Sequence, residues 1–322
     1  MKDDAPVAVI GSHGFVGSAL VRWLLAAGHT RVIAVDKLAD RRPEILPDDP
    51  RVARVAENAR RLRLSDIGSP KLVYYLCAAP FVPDSFADPD GTEDNNVQVL
   101  REFLTNNKDA TSLSIVYGSS GEVYGNVPVG CADEQQPTVA SDEMSPYGRS
   151  RVGAERVLFE LCPESRIRSV AVRLFNVVGP RATQPYFVPE MIRQLMKNGV
   201  VCHGDLAPVR DFVWIDDAVA AVAAAFQLCR TKPTAINVAT GVGWSMAAVL
   251  ALLLSIAGRE DATTEVDNDR LRPIELARLV GCPDRARETL GWQSKTRLED
   301  ALRRTFQWYL RAGSWSYERG LK

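Results

Sequence analysis

The chain has 322 residues, 46% apolar and 25% charged, with a formal net charge of −1. This is an ordinary globular composition, long enough for one or two domains, and its near-neutral balance excludes a basic nucleic-acid footprint. The longest apolar run, 246–254, falls short of the roughly 20 residues that span a bilayer, and six scattered cysteines without a CxxC pair exclude a zinc module. Dispersed thiols fit a reducing compartment, so a soluble, cytoplasmic protein without a metal is expected. Met1-Lys2-Asp3-Asp4 leads straight into a predicted strand, so no signal peptide is expected.

The first strand is predicted over 6–10, an apolar run closing on Gly11, as a buried parallel strand should. Phe15, Val16, Ala19, Leu20, Trp23 and Leu24 recur at helical spacing, with Gly28 where a helix end belongs. A second strand, 31–35, closes on Asp36. The stretch 41–63 mixes proline, acid and arginine without a period and reads as a variable surface excursion. Further strands are expected at 72–77, 113–117 and 170–175, with helices at 96–106 and 146–161. Strand alternating with helix means an α/β fold, a doubly wound, Rossmann-like parallel sheet. Past residue 175 the pattern loosens into Pro- and Gly-rich loops and helices at 188–197, 216–228, 246–256 and 298–310. We therefore expect a dinucleotide-binding domain over 1–175, rejoined by a segment near 210–240, and a smaller carboxyl-terminal lobe over 176–322.

Gly11-Ser12-His13-Gly14-Phe15-Val16-Gly17 follows a strand and opens a helix, the setting in which glycines let a backbone approach a pyrophosphate. Asp36 ends the next strand, where a carboxylate can take both hydroxyls of an adenosine ribose and repel a 2′-phosphate. NAD is the expected cofactor; Lys37 and the Arg41-Arg42 pair keep NADP as an alternative. His13 reads as a solvent-facing or phosphate-proximal side chain of that loop.

Tyr147 and Arg151 stand four apart, just after Ser145-Pro146, an N-cap followed by proline at the first helical position. Both therefore share one helix face. A free phenol titrates near ~10, and a fixed cation one turn away makes phenolate easier to reach. Ser120, at a strand end, can hydrogen-bond the same substrate oxygen. These are the parts of a hydride-transfer site.

Together with the glycine loop, these residues resemble the extended short-chain dehydrogenase/reductase family of nucleotide-sugar epimerases, dehydratases and decarboxylases. The resemblance runs on through Cys77-Ala78-Ala79, Asn95-Asn96-Val97, Arg173-Leu174-Phe175-Asn176-Val177-Val178-Gly179-Pro180, Arg210-Asp211-Phe212, Asn237-Val238-Ala239, Arg272-Pro273 and Leu290-Gly291-Trp292. It implies a nucleoside diphosphate sugar held between the lobes and a homodimer built on the helices around 97–106 and 147–161. Asn176, Arg210 and Arg272 would hold diphosphate and ribose. Val82, Asp84, Ser85, Tyr186, Val188 and His203 would line the substrate pocket beside Phe81 and Ser120. Gly11, Gly14, Phe15, Val16, Gly17, Asp36, Lys37, Asp66, Ala78, Ala79, Asn96, Tyr147 and Arg151 would contact the cofactor.

Two departures from the family stand out. Arg151 occupies a lysine position in a chain with 31 arginines and 8 lysines; its fork is wider and it cannot give up a proton. The serine strand ends Ser120-Gly121-Glu122, where simple 4-epimerases carry a small or hydroxyl residue and 4,6-dehydratases carry Thr-Asp-Glu. Glu122 can abstract a C5 proton, but Gly121 removes the dehydratase acid. The reading is an NAD-dependent nucleotide-sugar epimerase acting at C4 through a 4-keto intermediate. A dehydratase or related lyase using Glu122 is the alternative, and a low-turnover NAD- and nucleotide-sugar-binding protein the second alternative.

Overall fold

The computed structural model describes residues 5–40, 43–138, 140–197 and 199–313. Its centre is a seven-stranded sheet. Six strands come from residues 1–175: β1 (Val7–Ile10), β2 (Val32–Val35), β3 (Val52–Val55), β4 (Leu72–Tyr75), β5 (Ser114–Ser120) and β6 (Arg168–Leu174). After β7 (Asn176–Val178), β8 (Val201–His203) and β9 (Val209–Trp214), the chain returns with β10 (Thr234–Val238) beside β6. The sheet order is β10-β6-β5-β4-β1-β2-β3, and every pairing is parallel. β1 and β4 are neighbours although the chain leaves β1 the other way, toward β2. Helix connections diverge at that point and open a crevice above the strands' carboxyl ends.

The strands inside the β3 edge are buried on both faces because helices cover both. β4 shows the alternation: Tyr74 faces the layer of α1 (Phe15–Ala26) and α7 (Ile215–Ala224), donating its hydroxyl to the Ala223 carbonyl at 2.9 Å. Tyr75 faces the opposite layer, among Phe103 of α4 (Val99–Asn106) and the inner side of α5 (Pro146–Glu164). The first apolar layer runs on without a break into α6 (Phe187–Leu195), α8 (Met246–Ala257) and α10 (Leu298–Ala312).

Over the carboxyl edge, β9 forms the spine of a second sheet. It pairs with β7, with β11 (Gly243–Ser245) and with β13 (Arg278–Leu279), while β12 (Thr264–Val266) pairs with β8. Asp211 binds this assembly together. Its buried carboxylate accepts from the Thr240 hydroxyl at 2.6 Å and from the backbone N–H groups of Thr240, Gly241 and Gly281. Asp217 does the same for the chain after Trp292, accepting from Ser294, Lys295 and Thr296. Part of the recurring Arg-Asp-Phe phrase is thus architecture.

The parallel α/β sheet expected from the sequence is present, and each long helix lies within a few residues of its expected bounds. The stretch 41–63 differs. It contains β3, the edge strand, which is unremarkable in sequence because an edge strand needs only one sheet partner and buries little: its two central residues, Ala53 and Arg54, are exposed. Arg60 then ties the following loop to Asp94 and to Glu102 of α4, both at 2.6 Å. Among the described residues no helix is long and apolar enough to cross a membrane, and no cluster of three or more ligating side chains could hold a metal.

Candidate active site

The turn from β1 into α1 is shaped by absent side chains. Gly11 turns at φ +82°, and a Cβ there would lie 2.7 Å from the Leu76–Cys77 peptide. At Gly17 it would lie 2.1 Å from the Gly11 carbonyl. Gly14 heads α1 with its N–H on the Gly11 carbonyl at 3.1 Å, so the helix starts against the loop and its N-terminal dipole faces the crevice. Asp36, at the end of β2, accepts the N–H of His13 at 3.0 Å and of Leu38 at 2.9 Å, fixing its carboxylate beside the same loop. Phe15 is buried, Val16 half-buried, and Lys37 exposed next to Asp36. Arg41 and Arg42 lie outside the described residues. A pyrophosphate fits this cradle because backbone and dipole supply the anion site and nothing projects into it.

Asp66 does not belong here. It sits on a 3-10 turn, Leu64–Ile67, just before β4 begins, and so at the amino edge of the sheet, opposite the crevice. The residues following a strand, not those preceding it, reach the cofactor side. Asn96 also departs from expectation. Its amide accepts from Ala79 N–H at 2.7 Å and donates to the Ala79 carbonyl at 3.3 Å and Ser150 Oγ at 2.9 Å. With oxygen and nitrogen both engaged by protein, it holds the Ala78-Ala79 loop against α5.

At the end of β5 two adjacent serines take opposite directions, as strand alternation requires. Ser119 is buried and donates to Glu155 at 2.5 Å. Ser120 faces the crevice, its Oγ accepting the Glu122 N–H at 3.2 Å. Ser145 caps α5 by accepting the Gly148 N–H at 3.0 Å, and also donates to Glu122 at 3.3 Å. The cap of the helix carrying Tyr147 is therefore tied to the turn carrying Ser120 and Glu122.

One turn into α5, Arg151 is 1% exposed. Its guanidinium lies 5.0 Å from the Tyr117 ring centroid and 5.9 Å from that of Tyr147, and donates to the Gly118 carbonyl. Nε and Nη1 are buried with no partner among the described residues. The cation is thus held by ring faces and one carbonyl beneath the phenol, with its Nε and Nη1 hydrogens buried and unsatisfied among the described residues. A turn further, Glu155 makes a two-pronged pair with Arg173 at 3.0 and 2.7 Å; Arg173 also reaches Tyr124 at 2.7 Å, whose hydroxyl donates to Asn237. This buried network was not anticipated, although Glu155 at i+4 from Arg151 on one helix face was a legible signal.

Across the crevice, Arg210 rises from β9, 6% exposed at its side chain, and pairs with Glu275. Arg272 pairs with the same carboxylate at 3.3 Å. Glu122 is half-buried and lies in the field of both guanidiniums and of Glu275. Burial pushes its carboxyl above the usual range, with Arg210 and Arg272 pulling it partly back. Glu275, the partner of both arginines, was missed because nothing local marks it. Asn176 is exposed at the first position of β7, and Tyr186 packs edge-on against Phe81 with centroids 5.9 Å apart. On α2 (Val82–Ala87), Val82 is half-buried and Asp84 exposed, whereas Ser85 is buried with its hydroxyl on the Val82 carbonyl at 2.7 Å. Val188 is buried in the main core, so only its backbone, at the start of α6, can meet a ligand. His203 is buried on β8, its Nδ1 2.7 Å from the Gly204 carbonyl; a carbonyl only accepts, so Nδ1 carries the proton.

Comparison with known proteins agrees with this geometry. Residues 7–239 match the profile of the NAD dependent epimerase/dehydratase family. The chain belongs to that family. A UDP-glucose 4-epimerase of Lacticaseibacillus casei is 26% identical over 313 residues, covering 89% of this chain and 91% of the relative. The structure of MoeE5 in complex with UDP-glucuronic acid and NAD superposes with a TM-score of 0.84 at 27% identity, over 95% of this chain and 99% of that one. TunA, an NAD-dependent NDP-hexosamine 5,6-dehydratase, superposes with a TM-score of 0.82 at 27% identity, over 95% and 98%. NAD is the family's cofactor, and the glycine cradle with Asp36 fits it. The protein is an NAD-dependent enzyme of the nucleotide-sugar epimerase/dehydratase type.

Proposed function

We propose that the protein interconverts C4 epimers of a nucleoside diphosphate sugar. The observation that carries this reading is the convergence of Ser120, Tyr147 and Arg151 beside the glycine cradle, facing Arg210 and Arg272 across the crevice. The two guanidiniums hold the diphosphate, with Asn176 beside them, in the charge-assisted geometry that suits arginine. Ser120 and Tyr147 hold the C4 hydroxyl, and Tyr147 takes its proton while Arg151, permanently charged beneath the ring, favours the phenolate. Gly11, Gly14, Gly17 and Asp36 would hold NAD, with Arg151 beneath Tyr147 next to it, and the cofactor would supply a hydride acceptor that returns what it takes. The 4-keto sugar turns between the two transfers, and Tyr147 gives the proton back. In this scheme residues 1–175 with the returning β10 form the cofactor domain, and the remainder the sugar-binding lobe.

The test is conversion of a panel of nucleotide sugars by NAD-loaded protein, read by proton NMR at C4. Conversion that survives Tyr147→Phe unchanged would end the reading. Restoring lysine with Arg151→Lys separates a working guanidinium from an impaired site: a fall in rate supports the first, a large gain the second.

Glu122 supports a second reading, elimination after C5 proton abstraction, because burial raises its carboxyl toward the range where it exchanges protons. Incorporation of solvent deuterium at C5 would favour elimination; epimerisation at C4 leaves C5 untouched. A homodimer through the outer faces of α4 and α5 is part of the proposal, to be tested by light scattering. So is a cytoplasmic location, supported by six free cysteines.

A further inference from the structure

We propose that Glu122 is a charge filter: it admits nucleoside diphosphate sugars whose sugar is uncharged and turns away those bearing a carboxylate at C6. This rests on the nucleotide-sugar reading of the site and adds a specificity residue to it.

The argument begins with position. Glu122 follows Ser120 by two residues in the turn ending β5, and Ser145 holds it at 3.3 Å, two residues before Tyr147. Its carboxylate is therefore anchored to both elements that grip the C4 oxygen. In a pyranose, C5 and its C6 substituent adjoin C4, so the substituent falls in the neighbourhood of Glu122. Ser145 supplies a single neutral hydrogen bond, and no guanidinium pairs with Glu122 directly among the described residues.

Charge decides the rest. The cations whose field reaches Glu122 are Arg210 and Arg272, and both already share Glu275. Two positive and two negative groups make the empty crevice neutral on this side. A diphosphate brings two further negative charges and competes with Glu275 for both guanidiniums. Neither of these arginines is then left for a third substrate charge, Arg151 lies buried beneath Tyr147, and a C6 carboxylate would face Glu122 in a site partly shielded from water. Like charges so placed lose far more than a hydroxyl or methyl at the same position.

Titration calorimetry on NAD-loaded protein with UDP, UDP-glucose and UDP-glucuronic acid tests this. UDP reports the clamp and serves as the reference for both sugars. We expect UDP-glucose to bind at least about tenfold tighter than UDP-glucuronic acid, and Glu122→Gln to bring the two within about threefold through a gain by the uronate. Glu122→Ala should narrow the gap in the same direction, and thermal unfolding of each variant shows whether it is folded. Equal or tighter binding of the uronate by the unaltered protein overturns the filter, as does a ratio unmoved in a folded variant. If UDP binds and the ratio is flat, only the filter fails; if neither UDP nor either sugar binds, the nucleotide-sugar reading falls with it.

Discussion

The two sides of the crevice are built by different means. On the cofactor side the working surface is mostly backbone: a turn over 11–17, a helix N-terminus, and one carboxylate fixed by two backbone N–H groups. On the sugar side it is charged and hydroxylic side chains delivered by β5, α5, β7, β9 and the loop before β13. The charged ones are held by other side chains: Glu122 by Ser145, Arg210 and Arg272 by Glu275, and the floor behind them by Glu155 with Arg173. A backbone site needs only that nothing protrude into it. A side-chain site must balance its charges before the ligand arrives, so its residues cannot be read singly.

This contrast can be broken at several points. The largest effect is expected at Tyr147→Phe, which removes the proposed proton carrier while leaving the ring over Arg151. Turnover should fall about 10²- to 10⁴-fold, with NAD binding measured by fluorescence nearly unchanged. Next is the floor of the sugar side. Arg173→Met leaves Glu155 buried and unpaired, and urea unfolding should show a loss of about 3–5 kcal/mol, since both side chains are at most 4% exposed. Gly17→Ala probes the cofactor side: a methyl 2.1 Å from the Gly11 carbonyl forces the loop to move. A cost of about 1–3 kcal/mol in stability, together with weaker NAD binding by calorimetry, is the expected outcome.

The smallest effect concerns the balance of charge itself. Because burial raises the folded-state carboxyl of Glu122, its ionisation costs stability that is kept below the unfolded value, near ~4.3, and lost as pH rises through the folded one. Glu122→Gln should therefore gain stability relative to the parent at neutral pH, and the gain should vanish below about pH 4. A difference independent of pH in thermal unfolding would show that charge at this position is not what the fold opposes.

Much of the architecture was open to reading because its signals are local. An apolar run ending in glycine, an acidic residue closing the next strand, and Ser-Pro before a tyrosine each fall within a few residues. Nearest-neighbour physics explains them: parallel strands buried on both faces must be apolar, and a helix must start on a cap. The phenol and its cation were legible for the same reason, one helical turn fixing their common face. β3 was hidden because an edge strand leaves its central residues exposed. Asp66 misled because nothing near it in sequence marks which edge of the sheet it occupies, and only the direction of β4 decides that.

What the chain determined by itself, then, was the parallel sheet, the glycine cradle and the helix that aligns Tyr147 with Arg151, since backbone conformation and helical periodicity act over a few residues. Tertiary structure alone decided that Glu275 pairs with two arginines, 65 positions from Arg210, that Asn96 serves Ala79, and that Glu122 stands in their field. Electrostatic partnership depends on distance through space and on exclusion of water. Neither is written in the order of residues until the sheet has folded and brought its carboxyl edge under the second lobe.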